Sequence, residues 1–100
     1  MSLFAVTREA GPGWTDGGAF EQPAVHEHAA FMNSLVEKHV IVLGGPIENE
    51  EENEALIVFD APSETVVRDL LSQDPWASTE ILLIRRIELW TILLDSRPTE

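Results

Sequence analysis

His28 and Asp74 are the two side chains of this sequence best suited to carry a proton between them. His28 stands three residues before Phe31, four before Met32 and seven before Leu35, so on a helix it points with the apolar stripe, while His26 points elsewhere. A carboxylate on one imidazole nitrogen fixes the tautomer and makes the other nitrogen a better base. Each residue alone also has a plain structural reading. A histidine on an apolar face fits a core residue bonded to backbone, and an aspartate before Pro75 fits a turn former. Trp14 fits either a lid aromatic or a plug on a pocket rim. Glu48, Glu50, Glu51, Glu52 and Glu54 could attract a hard cation, but they lack the Asp/Gly alternation of a calcium loop and read as a solvated hairpin tip. His26, His28 and His39 make no metal site on one helix, and no metal is expected. The absence of cysteine removes disulfides, thiolate nucleophiles and cysteine-ligated metals.

The elements that must position these residues follow from spacing. Residues 3–7 read as a first strand, closed by Gly11, Pro12 and Gly13. The segment 9–22, glycine-rich around Trp14, is longer than most connections, a length usually functional or disordered. From Pro23 to about residue 38, apolar residues at 25, 29, 32 and 36, flanked by 28, 31 and 35, predict a helix. Val40 to Leu43, ended by Gly44-Gly45-Pro46, and Ala55 to Phe59 read as buried strands. Ser63 is an N-cap for a second helix carrying Val66, Val67, Leu70 and Leu71, which should end before Asp74-Pro75. Residues 80–94 read as one long final strand. Residues 1–95 are expected to form one domain, with 96–100 a frayed tail.

This order, β-α-β-β-α-β, predicts a ferredoxin-like α+β fold: an antiparallel four-stranded sheet with two helices on one face. The strands are apolar at successive positions, so their second face also calls for cover. A homodimer with sheets packed face to face supplies it and accommodates the long last strand. Arg85-Arg86, inside that strand, is expected to find an acidic partner at the interface. The topology collects the start of the first helix, the end of the second, the 9–22 segment and Gly44-Gly45-Pro46 at one end, which brings His28 and Asp74 together.

On those residues a resemblance rests. The segment His28-Ala-Ala-Phe-Met through Val42-Leu-Gly-Gly-Pro46, with Asp74-Pro75-Trp76 and a closing strand ending near Trp90, resembles the YCII-related (YciI-like) family of dimeric α+β barrel proteins over nearly the whole chain. The resemblance implies that His28 and Asp74 form the active-site pair and that Gly44-Gly45-Pro46 corresponds to the family's Gly-Pro turn. Two features depart from the family's shorter members: the 9–22 segment is long, and the first helix lacks the arginine often found upstream of the histidine. Arg8, on the first strand or its edge, is then the nearby candidate for binding substrate, with Trp14, Gly45 and Pro46.

Eighteen acidic residues against six basic ones give a net charge of -12, which disfavours nucleic acid and anionic membrane as partners. No apolar run suits a signal peptide or a membrane span, and a cytoplasmic protein is expected. The function expected is that of a small-molecule enzyme in which His28, oriented by Asp74, shuttles a proton on a small ring or carbonyl compound, as in an isomerase or lyase, with no cofactor. The alternatives are a non-catalytic ligand-binding or stress-associated accessory module, or a structural dimer whose pair ties the helices together.

Overall fold

Alternation along the first strand sets one face of the sheet. In the computed structural model, which describes residues 2–48 and 53–98, β1 (Ser2–Ala10) buries Phe4, Val6 and Arg8 on one side and leaves Ala5 and Thr7 on the other. Strands β2 (Ile41–Ile47), β3 (Glu54–Ala61) and β4 (Leu82–Leu89) complete an antiparallel sheet of order β2-β3-β1-β4. β1 is therefore central, hydrogen-bonded to β3 on one side and β4 on the other.

Two helices cover the same face. Leu35 of α1 (Val25–Glu37) and Val67 and Leu71 of α2 (Glu64–Leu71) join Phe4, Val6, Ile41, Ile57, Phe59 and Ala61 in one core. Burying a leucine of this kind contributes about 1.5 to 3 kcal/mol. Ser63 caps α2 as its sequence indicates, its hydroxyl accepting from the Val66 N–H at 3.3 Å. The fold is thus the expected α+β arrangement, with β-α-β-β-α-β order and both helices on one side.

Three expectations need correction. β2 does not stop at Gly44 but runs through Gly44-Gly45-Pro46 to Ile47. It is an edge strand, so the N–H that Pro46 lacks is not missed on the open side. β4 ends at Leu89 rather than near residue 94. Phe4 pairs with Leu89 and β1 begins at Ser2, so after the Trp90 N–H bonds the Leu3 carbonyl the last strand runs out of partner. The argument for a dimer from an overlong strand lapses with it.

α2 ends at Leu71, before Asp74-Pro75 as expected, and Asp74 then opens a further short helix, α3 (Pro75–Ser78), with Pro75 at the first helical position. Arg85 and Arg86 both stay out of the core, because a register shift opposite Thr7 and Arg8 lets β4 carry one extra residue there. Their partners are within the chain: Arg85 pairs with Glu54 and Arg86 with Glu88. The expected hairpin tip falls mostly on residues outside those described, including Glu50, Glu51 and Glu52, as does the end of the expected tail.

The segment after β1 is pinned by its glycines. Gly11 N–H and Gly13 N–H donate to the carbonyls of Ile81 and Glu80. A Cβ would lie 2.3 Å from the Glu80 oxygen at Gly11 and 2.1 Å from the Thr79 oxygen at Gly13, so no larger residue fits without displacing backbone. Further on, the buried Gln22 amide gathers the loop, bonding Thr15 and the Gly18 carbonyl.

Candidate active site

Three elements converge on the Asp74 carboxylate. β1 brings Arg8, α1 brings His28, and the start of α3 brings Asp74 with the Trp76 backbone. Arg8 Nη1 donates to Oδ2 at 2.6 Å, and the Trp76 N–H to Oδ1 at 3.0 Å. His28 Nδ1 lies 2.8 Å from Oδ1 and 2.9 Å from Oδ2. Burial on its own would raise the Asp74 pKa, but the hydrogen bonds from His28, the Trp76 N–H and Arg8, with the Arg8 charge, hold it below the ordinary carboxylate value. An ionised carboxylate only accepts, so His28 Nδ1 must carry the proton in this bond. In the neutral ring Nε2 is then the nitrogen with a free lone pair.

The ring's plane is fixed as well. Trp76 stacks on the imidazole with centroids 3.8 Å apart and planes inclined by 5°. Trp76 is itself held, its Nε1 donating to the Pro23 carbonyl at 2.7 Å. Trp14 meets Trp76 edge-on, centroids 6.2 Å apart at 71°, and its Nε1 donates to Gly17 O.

Beside this cluster lies an open cavity of about 700 Å³. His28, Arg8, Trp14 and Trp76 line one part of it, and Gly45 and Pro46 of β2 line another. Met32, Ile41 and Ile57 make much of the remaining surface apolar. All six residues singled out from the sequence are therefore at one place: Asp74 beneath the imidazole and the other five in the cavity wall. Besides Gly45 and Pro46, which lie within β2 rather than after it, Arg8 has a setting that differs from expectation. It lies on the inner face of a central strand, 1% exposed, and its first partner is Asp74.

Sequence reasoning gave Trp76 no separate role. The signal was present: an aspartate followed by proline fits the N-cap and first position of a helix, which puts the next N–H, that of Trp76, at the aspartate oxygen.

The fold has a counterpart among solved structures. The chain is similar to 5-chloro-2-hydroxyhydroquinone dehydrochlorinase (TftG) from Burkholderia phenoliruptrix AC1100, solved in complex with 2,5-dihydroxybenzoquinone. The TM-score is 0.63 at 20% sequence identity, over 89% of this chain and 93% of that one. That likeness establishes the fold alone. No family model and no curated protein matches the sequence.

Proposed function

We propose that this protein is a small-molecule enzyme in which His28 Nε2 takes up and returns a proton on a ring or carbonyl compound, in an isomerase- or lyase-type reaction. The observation that carries the proposal is the hydrogen bond between His28 Nδ1 and the buried Asp74 carboxylate beside an apolar cavity. Asp74 holds the imidazole in the tautomer that leaves Nε2 basic, and Trp76 holds its plane. The similarity to a dehydrochlorinase adds weight by analogy, since loss of HCl is an elimination that calls for a proton acceptor.

A homodimer belongs to the same proposal. The sheet face away from the helices carries Leu43 and Ile47, 52% and 45% exposed, beside Leu56 and Ala5. No helix of the described residues is long and apolar enough to cross a membrane, and a cytoplasmic setting is proposed on composition alone.

One observation favours a second reading. Asp74 also accepts from Arg8 and caps α3, as a purely structural tie would. Exchange of carbon-bound hydrogen in deuterium oxide, followed by NMR over a panel of ring and carbonyl compounds, separates the two. For a compound that exchanges, His28→Ala should lower the rate about 100-fold or more while circular dichroism stays native, and Asp74→Asn should lower it less. An undiminished rate in a folded His28→Ala variant would leave only the structural reading.

A further inference from the structure

The cavity holds one strong cation whose hydrogen-bonding capacity is only partly used. Among the described residues Arg8 makes one side-chain hydrogen bond, through Nη1 to Asp74. Its Nε is buried without a partner. Nη2 has no hydrogen-bond partner among the described residues either, and Arg8 lines the same cavity as His28. A guanidinium is a fork of donors, so the part that Asp74 leaves unused can serve a ligand oxygen.

The remaining charges decide what kind of oxygen. Arg8 and Asp74 neutralise each other, and with a neutral His28 the cluster has no net charge. Among the described residues the other charged groups at the cavity are Glu48 and Glu54, the latter paired with Arg85. The chain as a whole carries -12. A ligand that arrives as an anion is repelled by this field, whereas one that becomes an anion inside meets a guanidinium there.

Taking His28 as the proton acceptor proposed above, we infer that the site selects an uncharged weak acid, a phenol or enol carried on a compact apolar ring, and creates its oxyanion in place, with Arg8 as a further catalytic residue that holds the oxygen. The ligand O–H bond breaks, an Nε2–H bond forms on His28, and the electron pair stays on the oxygen facing Arg8. Atoms and charge balance with no co-reactant.

The test uses 4-nitrophenol, whose phenol and phenolate absorb differently, alongside 4-nitrobenzoate, a permanent anion of similar shape. At a pH where free 4-nitrophenol is mostly neutral, binding to the wild type should raise its phenolate fraction about tenfold or more. The benzoate should bind more weakly. Arg8→Lys, and the charge-neutral pair Arg8→Gln with Asp74→Asn for the case that the single variant does not fold, should abolish the rise. If the wild type binds 4-nitrophenol in its neutral form, fails to bind it, or prefers the benzoate, the inference falls, and the wild-type measurement suffices to show it. His28→Ala separates the two readings. Phenolate still formed in that variant removes His28 as proton acceptor and leaves Arg8 as oxyanion holder; phenol bound un-ionised there supports both.

Discussion

Asp74 is the residue on which the proposed chemistry turns, because its charge sets the roles of both neighbours. Its pKa is lowered in the folded chain, despite burial, by the donors around it. A carboxyl that titrates lower when folded stabilises the fold fully above its unfolded value of about 3.9, and that stability is lost as pH falls through the folded value. Acid should therefore weaken the wild type below about pH 4 more steeply than Asp74→Asn, which lacks this group. At neutral pH the comparison reverses in kind: Asp74→Asn leaves Arg8, 1% exposed, without its counter-charge and should cost about 3 to 5 kcal/mol. Replacing both, as Arg8→Met with Asp74→Asn, should recover much of that loss. Urea denaturation across pH measures both effects. A single Asp74→Asn variant within about 0.5 kcal/mol of wild type would mean that the ion pair does not matter to folding.

At the scale of elements, legibility followed periodicity. The β1, α1 and α2 segments were readable because their burial repeats at the strand or helix spacing, and His28 was placed correctly because it shares the stripe of Phe31, Met32 and Leu35. What was not readable depended on neighbours. Nothing within the segment from Leu82 to Leu94 says that pairing with β1 gives out just past Leu89; that limit lies in the register of a distant strand. Gly44-Gly45-Pro46 looks like a terminator, and it is strand only because β2 has one partner. The burial of Arg8 was legible in principle, since it continues the two-residue alternation of Phe4 and Val6, but an arginine at a core position argues against itself until its carboxylate is found. Trp76 was hidden for a related reason. Its stack on His28 joins α3 to α1 and has no signature in either segment alone.

The whole molecule makes the site by bringing together residues 8, 28 and 74, at one end of the sheet. It leaves the opposite sheet face with Leu43 and Ile47 partly open to solvent. The proposed homodimer covers that face, and light scattering after size exclusion at micromolar concentration should give twice the chain mass. A Leu43→Glu, Ile47→Glu double variant should shift it toward the chain mass without loss of secondary structure, and a soluble wild-type monomer would remove the dimer. Whether or not two chains meet, the reading of function stands on how one ring is held. Proton-nitrogen NMR of wild-type protein labelled at histidine, recorded where His28 is neutral, reads that state. The expected spectrum has the proton on Nδ1 and an unprotonated Nε2; a His28 protonated at Nε2 instead would contradict the Asp74 contact and the proton transfer built on it.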